Sequence, residues 1–571
     1  MFGYTMNCFM LMQETLQKFL FGNKRRAAIL LAVVGIVIYA NALPGKMFWD
    51  DDDGILKNAF IQDWSYAGKY FSENLIAGAG FTSNYWRPML SLGYSIEWHL
   101  WGSWAPGYHA TNIFLHIANA ILLFLLLRAL FGRPLIAYVV ALIFLVHPLQ
   151  TEAITYVSGR GDPLSVLFML LGMLAYLEGK THKRFRFFAQ GAYVLALMSK
   201  ETAIVFPVLL LLIDGFLRGK TEGKRGSLAE FCKKEARMLA PFLAISGAYL
   251  LFRATVLNFQ NTFNLHDQIN PQAAYLGVRV LTFFKAIALY AGLLLFPHGL
   301  HMERVMALPV SLFEPQVLLG FLIFFGSAAF AIFSWRRRPE YGFAFLWFFI
   351  CLSRASGILV PTNGLQYEHW LYFALAGFFL FLGFLLEDAA KKFSSGLFLL
   401  FTAFFIALLS FATIERNAVW RDPITFYNDV ISYNKKSLRV WNNVGMAYYD
   451  VGDYQKAIHA YEQALALDLE AQLPMLRRQG TDGKSAPPYH NLGNAYEALG
   501  LTDKAISFYR QAIAVDQQFI FSYNALASLY LKRKNYAEAL SVLKEEQKVL
   551  PSDMVQYNIS VLEEEMRKEK P

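Results

Sequence analysis

Apolar residues in this chain come in long blocks. Blocks start near Ala27, Pro106, Pro134, Pro163, Phe187, Ala203, Leu239, Leu276, Pro315, Phe343, Trp370 and Leu397. Each is long and apolar enough to form a membrane helix, which needs roughly 20 residues to cross the hydrocarbon core. After Thr413 the pattern changes, and Ala and Tyr recur at helical spacing between polar residues. The expected fold is all-α: a polytopic membrane helical bundle followed by a helical-repeat tail.

Composition agrees with a membrane chain. Of 571 residues, 56% are hydrophobic and only 17% charged; a soluble protein of this length carries more charge. The net charge of +9 is first a topology signal. Lys24-Arg25-Arg26, Arg128 and Arg133, Lys180 to Arg186, Arg218 to Arg237, Arg336-Arg337-Arg338 and Lys391-Lys392 all sit in short connections, where the positive-inside rule makes them cytoplasmic. Clustering in short loops argues against nucleic acid as a partner. Cys8, Cys232 and Cys351 are scattered and odd in number, so no disulfide framework is implied. Residues 1–26 lack a compact signal-peptide pattern and read as a cytoplasmic segment before a retained first helix.

Arg237 and Arg336 both read as cytoplasmic, yet three apolar blocks separate them. One of the blocks near Leu239 and Leu276 is therefore expected not to span fully. The second carries Arg279 and Lys285 inside it and is the better candidate for an interfacial or re-entrant piece. About eleven crossings remain, with the N-terminus cytoplasmic and the C-terminus outside.

The non-cytoplasmic connections then carry the chemistry. The longest spans residues 44–105 and holds Asp50-Asp51-Asp52-Asp53. Adjacent carboxylates repel, and one pKa rises unless a cation or donor compensates. The cluster is a candidate general base, a candidate metal site, or a solvated turn ending a helix. His147 to Glu152, Ser158 to Pro163, Lys200-Glu201-Thr202, Pro297 to His301 and Gln366 to Tyr372 fall on the same side.

The tail repeats itself. Trp441-x-x-Val444-Gly445-x-x-Tyr448 returns as Tyr489-x-x-Leu492-Gly493-x-x-Tyr496 and as Tyr523-x-x-Leu526-Ala527-x-x-Tyr530. The last two frames are 34 residues apart, the tetratricopeptide period, and the first is offset by that period plus a 14-residue insertion around Arg477 to Pro487. Repeats are placed near 438–471, 486–519 and 520–553, within a repeat domain over 441–571. A connecting half repeat over 414–440 joins it to a membrane domain over 27–413. Such arrays present concave peptide-binding surfaces.

The order of these elements resembles one family. Acidic pair, Arg-Pro, His-Pro, Gly-Arg-x-Asp, Lys-Glu, Glu-x-x-Leu-Tyr and then repeats is similar to the transmembrane and tetratricopeptide-repeat-containing O-mannosyltransferases, of the GT-C class. The resemblance implies a GT-C-like bundle and a polyprenyl-phosphate-linked sugar as donor. It implies transfer to protein hydroxyls on the non-cytoplasmic face. The family's acidic pair falls on Asp50 and Asp51, because Ile55 and Asn58 match the family's residues just after that pair. Trp86-Arg87-Pro88-Met89 stands for its Arg-Pro element, and His147 to Ala153 for its His-Pro element with Glu152. Gly159-Arg160-Gly161-Asp162 and Lys200-Glu201-Thr202 match directly. The family's Glu-Arg-x-Leu-Tyr is here Glu368-His369-Trp370-Leu371-Tyr372, which turns a fixed positive charge into a titratable one.

Sugar transfer from a lipid phosphate needs a base for the acceptor hydroxyl, positive charge at the departing phosphate and a groove for the lipid. On the resemblance, Asp50 and Asp51 are catalytic, with a divalent metal on the same pair as a further candidate. Arg87, His147, Glu152, Arg160, Asp162, Lys200, Glu201, Glu368, His369 and Tyr372 are candidates for holding the donor phosphate and sugar. Expected partners are the bilayer, the lipid-linked sugar and a protein acceptor or partner held by the repeats. The setting is a bacterial inner membrane or an endoplasmic-reticulum-type membrane. Two other readings stand beside this one: a membrane-anchored repeat scaffold without catalysis, and the same chemistry on an envelope lipid or glycan.

Overall fold

The computed structural model describes residues 22–221, 228–259, 275–358, 365–390, 395–467 and 485–568. It divides into a unit reaching Asp422 and a second beginning at Pro423. The last long helix of the first unit continues past residue 413 to Val419.

The first unit holds α1 (Lys24–Tyr39), α2 (Pro88–Trp101), α3 (Ala105–Phe131), α4 (Pro134–Val146), α5 (Gly161–Glu178), α6 (Arg184–Ser199), α7 (Phe206–Thr221), α8 (Leu228–Ala254), α9 (Leu276–Leu295), α10 (Pro315–Trp335), α11 (Pro339–Ser353), α12 (Ala374–Ala390) and α13 (Ser395–Val419). All twelve apolar blocks are helical. Local chemistry sets their ends. Asn23 accepts from the amides of Arg25 and Arg26 to cap α1. Proline opens α2, α3, α4, α10 and α11, where its missing N–H costs no bond. Gly132 takes φ +68 to stop α3.

Among the described residues, eight helices are long and apolar enough to cross a membrane, and the number is nine if α4 and the short segment Pro148–Ile154, bent by 58° to it, count as one span. α6, α11 and α12 are shorter. Leu400, Phe401, Phe404, Leu408 and Phe411 on α13 are all more than half exposed. So broad an apolar surface is at home in lipid, and the chain is a multi-pass membrane protein. The core lies between α3, α4, α5, α7, α11 and α12, where Phe131 meets Phe216, Phe343 and Phe384. A Cβ on Gly377 would come within 2.7 Å of the backbone of α11, so glycine is what lets α11 and α12 pack so closely.

α9 is one of the eight by length and apolarity. It packs on α10 through Phe284, Phe321 and Phe325, and its polar contacts reach the loops that follow α9 and α11. Arg279 donates to Ile358 O, Lys285 to Ala307 O, and Tyr290 to Gln366 and Tyr367 O. Beside these loops, β1 (Arg304–Val305) and β2 (Leu365–Gln366) pair antiparallel, Arg304 facing Gln366.

The second unit is a helical solenoid: α14 (Pro423–Tyr433), three pairs α15 (Leu438–Asp450) with α16 (Tyr454–Ala466), α17 (Ala486–Ala498) with α18 (Thr502–Val515), α19 (Ile520–Lys532) with α20 (Tyr536–Val549), and a closing α21 (Asp553–Lys568). Each pair closes at one register. A Cβ on Gly445 would strike the ring of Tyr461, and one on Gly493 the ring of Tyr509. The third repeat buries Ala527 and Leu543 at the corresponding places. The turns inside the pairs use left-handed Gly452 (φ +80) and Gly500 (φ +74), and in the third repeat Lys534 (φ +56). The expected insertion between the first two repeats lies mostly outside the described residues.

Candidate active site

The acidic stretch is split by its backbone. Trp49 takes φ +63, a conformation bulky residues rarely adopt. Behind it the chain enters a turn of π-helix over Asp52–Leu56. The result turns neighbouring carboxylates opposite ways. Asp51 is 1% exposed; one of its oxygens accepts from the Ser158 amide (2.8 Å) and hydroxyl, the other from the Phe48 amide (3.1 Å). Asp50 is exposed, and its amide donates to the Tyr156 hydroxyl (3.1 Å). Burial pushes the Asp51 carboxyl up to about 7, against the pull of those three donors. Asp52 faces outward in an ion pair with Lys57.

Facing this stretch is a group of cations. Arg87, capping α2, gives Glu201 three hydrogen bonds of 3.0–3.2 Å, a two-pronged guanidinium–carboxylate pair. Lys200 meets Asp162 at 2.6 Å. A Cβ on Gly161 would lie 3.5 Å from the Lys200 side chain and 3.6 Å from the Arg87 guanidinium, so the two pairs adjoin. The Arg87 guanidinium covers the ring of Tyr85 at 4.4 Å. The charges of Arg87, Glu201, Asp50 and Arg354 all act on the Tyr85 hydroxyl, which ties this group to the acidic stretch.

A third group sits on Glu152. One of its oxygens meets His369 Nδ1 at 2.6 Å and the other accepts from the Glu368 amide at 2.9 Å. Glu368 in turn accepts from the His301 amide and from Arg304 (2.7 Å) on a single oxygen. Its other oxygen is buried without a hydrogen-bond partner. Burial raises its proton affinity. Trp420 stacks on both Phe48 and Tyr156. The Arg416 guanidinium lies 5.9 Å from the Trp420 ring and acts on Glu152 and Glu368. A chain of contacts thus runs from Asp50 through Tyr156, Trp420 and Arg416 to Glu152 and His369.

Three expected residues are turned away from this surface. Arg160 is 2% exposed and is held by Glu97, Asn112 Oδ1 and Tyr108 O, so its charge is paired inside the fold. His147 is buried, caps Leu149 N through Nδ1 and packs on Phe379. Tyr372 is buried between His116 and Asn119. The candidate metal does not fit either. Among the described residues no three His, Cys, Asp or Glu side chains group as ligands, and both Asp51 oxygens already accept protein donors. Residues that the motifs did not flag now have places: Ser158 on Asp51, Arg354 3.9 Å from Glu201, Arg304 on Glu368, and Glu97 on Arg160.

Comparison with known proteins places these elements. The tetratricopeptide-repeat family model matches residues 436–518. Protein O-mannosyl-transferase TMTC3 of Mus musculus is 26% identical over 480 residues, covering 77% of this chain and 51% of that protein. TMTC4 of Homo sapiens is 24% identical, covering 76% and 65%. The tmtc2 protein of Xenopus laevis is 31% identical over 159 residues, covering 27% of this chain and 18% of that protein. The chain thus spans about half to two thirds of the length of the long-matching relatives. Among solved structures, ArnT from Cupriavidus metallidurans bound to undecaprenyl phosphate is similar with a TM-score of 0.41 and 14% identity, over 85% of this chain and 79% of that one. An oligosaccharyltransferase of Archaeoglobus fulgidus is similar with a TM-score of 0.38 and 13% identity, over 78% and 59%. Across about three quarters of its length, then, this chain resembles the transmembrane and tetratricopeptide-repeat-containing O-mannosyltransferases in sequence.

Proposed function

We propose that this chain is a membrane glycosyltransferase that moves mannose or a similar hexose from a polyprenyl-phosphate donor to a hydroxyl of a protein. The observation that carries this reading is the pairing of an exposed carboxylate, Asp50, with convergent cations on the far side of Tyr85. In the reaction, Asp50 takes the proton of the acceptor hydroxyl. The acceptor oxygen bonds to the anomeric carbon as the bond from that carbon to the phosphate oxygen breaks. The leaving phosphate keeps the electron pair, and Arg87 and Lys200 stabilise its charge. Asp51 has no open face; it is a positioning residue that fixes the turn carrying Asp50. Glu368 and His369 hold hydroxyls of the donor sugar, a role that the unpartnered Glu368 oxygen supports, and Glu152, with both oxygens engaged, positions the two.

The surface from Asp50 to His369, with the loop 44–105, faces the non-cytoplasmic side. α9 lies along that face instead of crossing, which leaves the N-terminus cytoplasmic and the repeats outside. The repeat tail over 441–571 presents the acceptor or a partner protein. A scaffold without catalysis gives no reason for a buried carboxylate held by three donors beside an exposed one.

The test is a donor assay on purified protein in lipid nanodiscs with a panel of polyprenyl-phosphate sugars. Release of polyprenyl phosphate, with sugar appearing on a protein hydroxyl and lost in Asp50→Asn, is expected. No turnover of any donor, with the protein folded, overturns the reading in favour of the scaffold.

A further inference from the structure

Charge does not balance in the cation group. Glu201 has both oxygens engaged by Arg87, and Asp162 is engaged by Lys200. Arg354 approaches the same Glu201 only to 3.9 Å, an ion-pair distance beyond hydrogen-bond reach. Arg253, at the end of α8, gives its terminal nitrogens to the carbonyls of Leu257 and Asn84 and meets no carboxylate there. Two carboxylates therefore stand beside four cations, Arg87, Lys200, Arg253 and Arg354, and Arg354 is the one of the four that gives no hydrogen bond to a carboxylate or a carbonyl.

Its backbone is nonetheless fixed. Arg354 begins a 3-10 turn at the end of α11, the turn closes through left-handed Gly357 (φ +71), and Arg279 of α9 holds the next carbonyl, Ile358 O, at 3.0 Å. The side chain is 27% exposed, against 11% for Arg87. An anchored arginine with open donors, beside a carboxylate already satisfied, is built to receive a planar pair of anionic oxygens.

We propose that Arg354 is the residue that takes the phosphate oxygens of the lipid-linked donor, two at a time, while Arg87 and Lys200, clamped by Glu201 and Asp162, form the fixed positive wall behind them. This rests on the reading of the site as a polyprenyl-phosphate-sugar transferase. A phosphate could also belong to an ordinary phospholipid headgroup or to free phosphate in solution, and the experiment separates these.

The full chain is placed in zwitterionic nanodiscs, and binding of decaprenyl phosphate is titrated for wild type, Arg354→Gln and Arg354→Lys. Loss of a charge-assisted pair predicts weakening of roughly tenfold to a hundredfold in Arg354→Gln. Arg354→Lys keeps charge without the fork and falls between. It also secures the comparison if the glutamine variant does not fold. Phosphatidylglycerol and inorganic phosphate are titrated as competitors and should displace decaprenyl phosphate only weakly. Equal binding by wild type and both variants overturns the assignment of Arg354 and leaves the transferase reading standing. Displacement by phosphatidylglycerol at equal concentration makes Arg354 a headgroup anchor and overturns the assignment. Displacement by inorganic phosphate at the same concentration as decaprenyl phosphate overturns recognition of the lipid-linked form. Absence of decaprenyl phosphate binding in a folded wild-type protein removes the assignment together with the reading on which it rests.

Discussion

Ser158 meets Asp51 twice: its amide and its hydroxyl both donate to one carboxylate oxygen, and the Phe48 amide holds the other. The contact joins the first long loop to the connection between α4 and α5, far apart in sequence. It leaves Asp50, one residue earlier, as the carboxylate open to solvent.

The two aspartates should therefore fail differently. Asp50→Asn removes the base and the charge beside the Tyr156 hydroxyl, so transfer should fall by on the order of a hundredfold or more with a smaller loss of stability than Asp51→Asn gives. Asp51→Asn sets an amide donor against the Phe48 or Ser158 donors, so it should lose both transfer and about 1–3 kcal/mol of stability. Ser158→Ala should reproduce a milder form of the second. Asp52→Asn and Asp53→Asn, outside the pair, should be milder. Equal, small effects at Asp50 and Asp51 in a turnover and unfolding series would contradict this division.

Acidity gives a second test of Asp51. Burial raises its carboxyl to about 7 in the folded protein, above the ordinary value of 3.8. The folded state thus holds this proton more tightly than the unfolded chain does. Its contribution to stability falls as pH rises between about 4 and 7. Transfer moves the other way, because the carboxylate accepts more strongly from Ser158 and Phe48 than the neutral acid does and so holds the turn that carries Asp50 more firmly; the rate should climb through about pH 7. Asp51→Asn should flatten the inflection in both profiles. A wild-type rate that is flat from pH 6 to 8 would argue against it.

Much of this was legible in sequence, because it rests on local periodicity. All twelve apolar blocks are helices, and the 34-residue period set the frame in which Gly445 meets Tyr461 and Gly493 meets Tyr509. What could not be read is which distant residue neutralises which. Arg160 stands in a motif that invites a ligand role, yet Glu97, 63 residues earlier, takes its charge, and nothing about Glu97 on an ordinary helix announces this. Arg354 lies in no motif and matters because its neighbours are already paired. In the run from Ser158 to Pro163 the arginine and aspartate drew notice, while the serine is what touches Asp51.

The pairing of Arg160 with Glu97 supplies a prediction. Arg160→Gln leaves Glu97 buried without its partner, which costs about 3–5 kcal/mol. The loss should appear as lower folded yield and a lower unfolding temperature. Affinity for polyprenyl phosphate in the folded fraction should stay at the wild-type level. A selective loss of donor affinity with stability intact would restore Arg160 to the binding surface.

In the repeats, Gly500 and Lys534 occupy equivalent left-handed turns. Gly500→Ala places a Cβ in that conformation and should cost about 1–2 kcal/mol. Lys534→Gly relieves the same strain and adds flexibility to the unfolded chain, so the net should be a gain of at most about 1 kcal/mol. Hydrogen exchange of the α17–α18 and α19–α20 pairs in the full chain reads both. Faster exchange of α19–α20 in Lys534→Gly would show that the lysine is held there by something other than the turn.

The path of α9 decides the sidedness of everything after it. Tyr275 and Phe296 flank the helix and are both well exposed, and the contacts of Arg279, Lys285 and Tyr290 reach the loops that follow α9 and α11. A helix lying along the membrane surface keeps its ends on one side. A spanning helix of 20 residues separates them by about 30 Å. In a background with Cys8, Cys232 and Cys351 replaced, single cysteines at positions 275 and 296 should react with an impermeant reagent from the same side as one at position 52. Labelling of 275 and 296 from opposite sides would add a crossing and move the repeats to the cytoplasm. The acceptor-presenting tail would then be on the wrong side of the membrane from Asp50.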